Sequence, residues 1–302
     1  MRLVCAKLRF NTRSFSKTPI KMATKTVLIL GSGPRIGEAV SEKFAAEGYK
    51  VAIVSRKGTD SVNEKGYLSL SADFANTDPS ILASVFDKFK SEFSTAPSVV
   101  IYNAGSITPP PDAESALSIP SVSRHQTNFQ PLVSAHKSPL HLNVLKKISP
   151  HLPLEAFLIH RNAKFVALQA RVANDLNVNV VTPFIAAQEA IKGWETLPEE
   201  SKKVFIYTGN ICNVAVLPVP LLLNGGMGKA ATAYWLGVAD GAYTAKGYRF
   251  IYADQRQADG KIAGQAVNGP AHADFYSQLA ASGAENVPWH ATFVKDQGYT
   301  KF

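Results

Sequence analysis

Short apolar runs rich in β-branched residues recur along this chain and alternate with longer stretches of helical periodicity. The runs predict strands over residues 26–30, 50–54, 67–71, 98–102, 203–207 and 248–252. The stretches between them predict helices over residues 38–47, 79–93, 177–196 and 228–246. Apolar strands separated by helices are typical of a parallel sheet that is covered on both faces. We therefore expect a single α/β domain with a doubly wound sheet of about seven mostly parallel strands.

The turn between the first predicted strand and the first predicted helix is rich in glycine. It reads Gly31-Ser32-Gly33-Pro34-Arg35-Ile36-Gly37. Glycine permits positive φ and a close approach of phosphate to the backbone, and the N-terminus of the next helix offers free N–H groups to an anion. A second strand follows the helix, as a βαβ unit requires, so the turn predicts a dinucleotide site. The motif alone leaves a tight turn without a ligand as the alternative.

The net charge of +9 is concentrated in two segments. Residues 1–22 carry six basic side chains and no acidic one, and residues 122–172 carry seven basic side chains and one acidic one. The rest of the chain, which includes the glycine-rich turn, is net acidic. Because the basic excess lies outside the predicted core, we expect no nucleic-acid partner.

The basic residues 1–22 have two interpretations. Their arginines, serines and threonines are typical of a mitochondrial presequence. Alternatively, translation starts at Met22 and the segment is a mis-assigned extension. We accordingly expect the protein in the cytoplasm, with the mitochondrial matrix as the alternative.

Cysteine content and hydropathy argue against a disulfide-bonded or zinc-binding protein and against a membrane-spanning one. Cys5 and Cys212 are the only cysteines among the 302 residues, so the sequence offers no disulfide framework and no zinc-ligand set. The longest apolar stretch, residues 214–223, is interrupted by Pro218 and Pro220 and is too short to span a membrane. We expect a soluble intracellular protein with no metal site and no membrane partner.

Polar and small residues at further positions follow the predicted elements in a recognisable order. They are Asp73 after the third strand, the run Asn103-Ala104-Gly105 after the fourth, Asn179 in a predicted helix and Lys229 in the next helix. With the glycine-rich turn, this order resembles the short-chain dehydrogenases/reductases over about residues 24–121 and 173–256. The resemblance implies a Rossmann-type NAD(P)-binding domain over residues 23–302. It also implies an oxidoreductase that transfers hydride to or from the carbonyl or alcohol of a small molecule.

The resemblance implies a role for each of these residues. The residues implied to hold the pyrophosphate are Gly31, Ser32, Gly33, Arg35, Ile36 and Gly37. Asp73 would contact the adenine, whereas Asn103 and the active-site lysine Lys229 would contact the nicotinamide ribose. Asn179 would hold a water of the proton relay. Arg35 occupies the place of the family's middle glycine, which is a departure within the turn.

The end of the second strand bears on the choice of cofactor. NAD-binding proteins usually place an acidic residue there, which accepts a hydrogen bond from the ribose 2′-hydroxyl. This chain has Ser55, Arg56 and Lys57 instead, and Arg35 lies in the glycine-rich turn. Because cations attract a 2′-phosphate, we expect NADP(H) rather than NAD(H), the alternative being a basic surface loop.

The general acid that the resemblance implies is missing. In the family a tyrosine stands four residues before the lysine, on the same helix face, where the lysine's charge lowers the pKa of the phenol. Four residues before Lys229 stands Gly225. Among the tyrosines, we expect the hydroxyl of Tyr207 to face the mouth of the pocket. Thr208 or Asn210 would orient a substrate carbonyl.

Residues 122–172 form an atypical insertion, because the fourth strand and the family's helix asparagine lie much farther apart than the family pattern requires. The segment holds five of the chain's seven histidines, His125, His136, His141, His151 and His160. Three interpretations stay open: a histidine-rich metal site, a substrate cap with a helix over residues 155–173, and a retained intron or gene-model error. The irregular histidine spacing argues against the first. We favour the last, because residues 117–121 would join directly to residue 173.

Two functions from different classes stay open. Lys229 favours an NADP(H)-dependent oxidoreductase that acts on a small molecule. Gly225 favours a catalytically silent NADP(H)-binding sensor or scaffold. Residues 253–256 stand where the family usually has a Pro-Gly turn, which is a further departure at the nicotinamide end of the implied site. A homo-oligomer is a further expectation, and the aromatic ending Trp289–Phe302 would lie over the substrate pocket or at a subunit contact.

Overall fold

The structure is a computed structural model and describes residues 24–118 and 171–302. Its strands are β1 (Thr26–Leu30), β2 (Lys50–Ser55), β3 (Ser61–Val62), β4 (Leu68–Ser71), β5 (Val99–Tyr102), β6 (Lys203–Thr208), β7 (Tyr248–Arg256), β8 (His290–Val294) and β9 (Gly298–Tyr299). Its α-helices are α1 (Ile36–Ala46), α2 (Ser80–Phe93), α3 (Arg171–Leu176), α4 (Thr182–Trp194), α5 (Leu223–Tyr243) and α6 (Gly269–Ser282). A π-helical turn, Asn177–Val181, joins α3 to α4.

The described strands form one sheet in the order β3-β4-β2-β1-β5-β6-β7-β8-β9. The seven strands from β4 to β8 in this order are all parallel, which confirms the predicted doubly wound sheet. The two additional strands, β3 and β9, have two residues each and pair antiparallel at the edges. The chain runs outward from β1 in both directions, so a crevice opens where the carboxyl ends of β1 and β5 diverge.

Helices cover both faces of the sheet. On one face α2, α4 and α5 pack against alternate strand residues such as Leu28 and Phe205. On the other face α1 and α6 pack against the intervening residues, such as Ile29 and Ile206. This double burial explains the continuous apolar strands, since side chains from both faces of each strand are removed from water.

Two predicted boundaries differ from the structure. The strand predicted over residues 248–252 continues to Arg256, because residues 252–256 pair with β8. The polar side chains of Asp254 and Arg256 concealed this extension in the sequence, and they form a buried ion pair with a 2.6 Å separation. The helix predicted from residue 228 begins at Leu223 in the structure. The prediction missed its first turn because glycines there weaken the helical pattern in the sequence. Gly228 allows this helix to pack closely on the π-helical turn, since an added Cβ would lie 2.6 Å from the Cβ of Asn179.

Helix α6 and strand β8 were not predicted. Asn268 caps the start of α6, where its side chain accepts from Ala271 N at 2.9 Å, and the helix ends before Gly283, which has φ 66°. The aromatic ending of the chain supplies β8 and β9, and Phe293 of β8 is buried against α6.

Several expectations fall on parts of the chain that the structure does not describe. The predicted presequence or mis-assigned start, residues 1–22, lies outside the described residues. So do the five histidines and all but the last two positions of the insertion, residues 122–172. Within the described ranges, no helix has both the length and the apolar character needed to cross a membrane.

Candidate functional site

A cleft of about 370 Å³ lies at the carboxyl ends of β1, β2, β4 and β5. It follows the crevice between β1 and β5, where open α/β sheets bind ligands. Nine residues singled out from the sequence line it: Gly31, Ser32, Gly33, Ser55, Arg56, Asp73, Asn103, Ala104 and Gly105. The structure therefore brings the glycine-rich turn, the end of β2 and the ends of β4 and β5 to one concave surface.

The glycine-rich turn packs so closely on the residues after β5 that Gly31 has no room for a side chain. Gly31 has φ 100°, and an added Cβ would lie 2.4 Å from Ala104 N. At Gly33 an added Cβ would meet nothing within 4 Å, so this backbone is open on the cleft side. Arg35 and Gly37 lie at the start of α1, behind the cleft lining, and Arg35 is exposed. The turn thus presents bare backbone to the cleft, as a phosphate cradle requires.

Asn103 fixes the turn from below. Its Nδ2 donates to Gly31 O at 2.8 Å, and its Oδ1 accepts from Thr208 Oγ1 at 3.0 Å. Thr208 Oγ1 in turn accepts from the buried Tyr276 Oη at 2.9 Å. The hydroxyl of Thr208 is therefore part of a chain of hydrogen bonds that supports the cofactor-type turn. Tyr276 lies in helix α6, which was not predicted, so this tyrosine was not singled out from the sequence.

The end of β2 carries a hydroxyl and a cation. Ser55 Oγ accepts from Lys57 N at 3.2 Å, which directs the chain into a tight turn. Arg56 lines the cleft and its side chain is exposed, whereas Lys57 is exposed but lies outside the lining. Across the cleft, Asp73 accepts from Ala75 N at 3.1 Å.

The π-helical turn connects the cleft to α5 through Asn179. The side chain of Asn179 pairs with the backbone of Ser106, accepting from N at 3.0 Å and donating to O at 2.7 Å. Its backbone carbonyl accepts from Tyr207 Oη at 3.1 Å and Thr232 Oγ1 at 2.7 Å. Both lone pairs of this carbonyl are thus used by side-chain hydroxyls, in the residue to which the resemblance assigned a relay water.

Lys229 lies beneath the end of β6. Its Nζ donates to Thr208 O at 2.6 Å and to Tyr207 Oη at 3.3 Å, and it stands 4.4 Å from the ring centre of Tyr207. Burial lowers the pKa of Lys229 from its ordinary value of 10.5 to about 8, and the negative charge of Asp254 partly offsets this effect. The lysine therefore keeps its proton at neutral pH but is poised to lose it in mild base.

Tyr207 does not face the pocket mouth, contrary to expectation. It is fully buried between Tyr102 and Tyr252, with stacked rings at 5.8 and 5.7 Å, because neighbouring strands place all three side chains on one face. Its hydroxyl donates to Asn179 O. Burial raises the pKa of Tyr207 well above its ordinary value, so this phenol is a poor proton donor.

The place of the missing tyrosine is closed by neighbours. An added Cβ at Gly225 would meet Ile107 Cγ1 at 3.1 Å. Beside it, the buried carboxylate of Asp175 accepts from the side chains of Ser106 and Asn224 and from Thr108 N, which ties the loop after β5 to α5. This carboxylate was not singled out from the sequence, where it is one acid in a polar stretch.

Asn210 caps a short turn after β6. Its Oδ1 accepts from Cys212 N at 3.0 Å, and its backbone N and O both bond to Tyr252 Oη, at 3.0 and 2.7 Å. Gly209 permits this arrangement, since an added Cβ would lie 2.2 Å from the ring of Tyr252. Of its polar groups, the side-chain amide nitrogen is the one that these bonds leave for a ligand.

Comparison with known proteins agrees with this geometry. No family model matches the chain. It is 32% identical over 281 residues to the short chain dehydrogenase/reductase dmxR12 of Cryptosporiopsis sp. (strain 8999), which covers 93% of this chain and 96% of that protein. The chain belongs to the short-chain dehydrogenase/reductase superfamily.

Solved structures of other proteins share the fold, among them two described as short-chain dehydrogenases/reductases. A protein from Mycobacterium marinum has a TM-score of 0.58 at 16% identity, covering 91% of this chain and 95% of its own. BdcA, solved in complex with NADPH, has a TM-score of 0.54 at 16% identity, covering 92% and 96%. A Brucella ovis oxidoreductase, solved with a partially ordered NAD, has a TM-score of 0.55 at 15% identity, covering 91% and 100%.

At residues 253–256, where the resemblance implied a Pro-Gly turn, this short-chain dehydrogenase/reductase has the carboxyl end of β7, and Asp254 is fully buried there. Asp254 Oδ2 accepts from Arg256 Nε at 2.6 Å, and Arg256 also donates to Gly260 O at 3.0 Å. The ion pair thus holds the following hairpin against the end of the sheet.

Proposed function

We propose that this protein is an NADP(H)-dependent oxidoreductase that transfers hydride to or from a carbonyl or alcohol group of a small molecule. One observation carries the choice of cofactor: the cleft joins the glycine-rich turn to the end of β2, where Arg56 stands in place of an acid. A guanidinium attracts a 2′-phosphate and pairs with it by two parallel hydrogen bonds. NADPH in BdcA and NAD in the Brucella ovis protein show that related folds hold either cofactor.

The residues present fit a dinucleotide. Gly31 has no room for a Cβ against Ala104, and Gly33 leaves its backbone open to the cleft, while Asp73 and Arg56 flank the adenosine end. We assign Asn103 and Lys229 to the nicotinamide ribose. When bound, the nicotinamide would supply or accept the hydride. Lys229, with a pKa of about 8, holds a proton at neutral pH and donates to Thr208 O at the end of β6.

A catalytically silent NADP(H)-binding sensor or scaffold is the second candidate. Gly225 favours it, since the chain lacks a phenol where its family places one. The internal hydrogen bonds of Thr208 and Asn210 favour it too, because these groups already have protein partners. A homo-oligomer and a location in the cytoplasm or the mitochondrial matrix stay predictions, as does the absence of nucleic-acid and membrane partners.

A titration of the purified protein with NADPH and with NADH, followed by nicotinamide fluorescence, tests the cofactor. We expect tighter binding of NADPH. The variant Arg56→Ala should weaken NADPH binding by about ten- to hundredfold, since a charged hydrogen bond is worth about 1.5–3 kcal/mol, and should leave NADH binding unchanged.

Lys57→Ala is the matched control, because Lys57 is the next residue, is also basic and exposed, and does not line the cleft. Its effect on NADPH should stay below about threefold, as expected for a screened surface charge. Equal affinity of the wild type for NADPH and NADH would contradict the choice of NADP(H). Absence of binding for both would contradict the proposed function altogether.

A further inference from the structure

The loop that walls the adenine side of the cleft is held from behind by the π-helical turn and α4. Ala72, Asp73, Phe74 and Ala75 of this loop line the cleft. Asn177 Nδ2 donates to Phe74 O at 2.9 Å and to Asn76 O at 3.2 Å. Thr182 Oγ1 donates to the same Phe74 O at 3.0 Å. Two side chains therefore fix one short stretch of loop backbone.

Both donors are almost fully removed from water. Asn177 is 6% exposed and Thr182 is 5% exposed. Buried polar side chains are costly unless they are hydrogen-bonded, so the loop and the helix specify one another's position. The side chain of Phe74 is buried as well and packs on Tyr102, with ring centres 5.7 Å apart.

The π-helical turn is what allows both donors to reach one carbonyl. In a regular α-helix, residues five apart differ by about 140° around the axis, so Asn177 and Thr182 would point to different sides. The additional residue of a π-helical turn, with its i→i+5 hydrogen bonds, brings such positions into line. The carbonyl oxygens of Val178 and Asn179 in this turn accept from Tyr102 Oη and Tyr207 Oη, at 2.5 and 3.1 Å, so the irregular turn is itself fixed to the sheet.

We propose that Asn177 and Thr182 are positioning residues for the adenine half of the cofactor site. Neither lines the cleft; both act through the backbone of residues 74–76, which they hold in place before a ligand arrives. Binding to a preformed wall avoids the entropy loss of ordering a loop. The inference rests on the proposed function, because it takes the adenosine of the cofactor as the ligand of this part of the cleft.

The experiment measures the affinities of the full chain for NADPH and for 2′,5′-ADP, which carries only the adenosine half. Asn177→Leu removes two donated bonds, and we expect it to weaken both ligands by the same factor, roughly tenfold. Thr182→Val removes one bond with little change of shape, and we expect a loss of about threefold for both.

Thr26→Val is the matched control. Thr26 is also a buried threonine, and its Oγ1 donates to Ala96 O at 3.1 Å, but it lies at the amino end of β1, opposite the cleft. This variant should melt at a lower temperature yet bind both ligands as the wild type does. Lys229→Met, at the other end of the site, should weaken NADPH and leave 2′,5′-ADP unchanged.

Three outcomes would overturn the inference. Wild-type affinity in Thr182→Val and in any folded Asn177→Leu would leave these residues with a structural role only, while the proposed function stands. The same is true if Thr26→Val weakens 2′,5′-ADP as much as Thr182→Val does. If the wild type binds neither NADPH nor 2′,5′-ADP, the proposed function fails and the inference fails with it.

Discussion

The two halves of the proposed cofactor site differ in how many of their polar groups already form hydrogen bonds within the protein. The adenosine half, formed by the glycine-rich turn, Arg56 and the loop at residues 72–76, presents backbone and an exposed cation to the cleft. In the chemical half, formed by Tyr207, Thr208, Asn210, Gly225 and Lys229, the hydroxyls of Tyr207 and Thr208 already bond within the protein. The polar groups of the adenosine half are thus accessible to a ligand, whereas the hydroxyls of the chemical half already have partners within the protein.

The difference follows from what each half is made of. The adenosine half depends on turn geometry and on backbone groups, which many side chains elsewhere in the fold can support. In the pattern that the resemblance implies, the chemical half depends on one phenol at one helical position, so a single substitution there would remove it. A Rossmann-type domain can therefore keep its cofactor geometry while its proton-transfer chemistry changes.

The largest effect should come from closing the adenosine half at Gly31. In Gly31→Ala the new Cβ would lie 2.4 Å from Ala104 N, and the residue would have to keep φ 100°, which side chains rarely adopt. The turn must then move away from β5. We expect NADPH affinity in the fluorescence titration to fall more than about a hundredfold, because displacement of the cradle removes several backbone contacts at once.

Gly48→Ala controls for the backbone strain alone. Gly48 has φ 81° in the turn between α1 and β2, and an added Cβ there would meet nothing within 4 Å. It should lose about 1 kcal/mol of folding free energy, the usual cost of a left-handed residue, and bind NADPH normally. Normal binding by Gly31→Ala would show that the turn is not the phosphate cradle.

Much of the fold was readable from the sequence. The fully apolar runs predicted the central strands correctly, because strands buried on both faces leave no polar positions. Helix α6 was missed although Asn268 and Pro270 are ordinary signals of a helix start, since its pattern is apolar nearly all round. The two-residue strands β3 and β9 carry no pattern at all; pairing with a neighbour defines them.

The sequence predicted which residues would lie at the site, but it did not predict the hydrogen bonds between them. Motif order placed nine residues on the cleft, because the carboxyl ends of parallel strands meet at one edge. The hydrogen bonds of Thr208 to Asn103 and Tyr276 could not be predicted, since they depend on the register of α6, where Tyr276 lies 68 residues later in the chain than Thr208.

A smaller effect is expected from restoring the phenol in the chemical half. Gly225→Tyr places the tyrosine one helical turn before Lys229, and Ile107, which is 48% exposed, has room to move aside. A general acid typically contributes about 10²- to 10⁴-fold, and imperfect placement should reduce this, so we expect a ten- to hundredfold gain in NADPH oxidation with a generic aldehyde or ketone.

Gly225→Phe is the control, since it adds the same ring without the hydroxyl. It should show no gain. If neither variant gains activity while both bind NADPH, the chemical half is not arranged for hydride transfer, and the silent sensor or scaffold becomes the better description. A gain in Gly225→Phe would mean that the ring closes the pocket rather than donating a proton.

The smallest expected effect is a pH dependence of stability that comes from Lys229, the cation of the chemical half. Burial sets its pKa to about 8 in the folded protein, against 10.5 for an ordinary lysine. Between these values the unfolded chain binds a proton that the folded chain releases, so this group makes stability rise with pH from 8 to 10.5. Relative to Lys229→Met, the melting temperature of the wild type should therefore increase by about 4–8 °C from pH 7.5 to pH 10, since this shift contributes about 2 kcal/mol over the interval and each kcal/mol corresponds to about 2–4 °C in a protein of this size. A difference between wild type and variant that does not change with pH would mean that Lys229 keeps its ordinary pKa and contacts solvent, which would make the chemical half more open than its hydrogen bonds indicate.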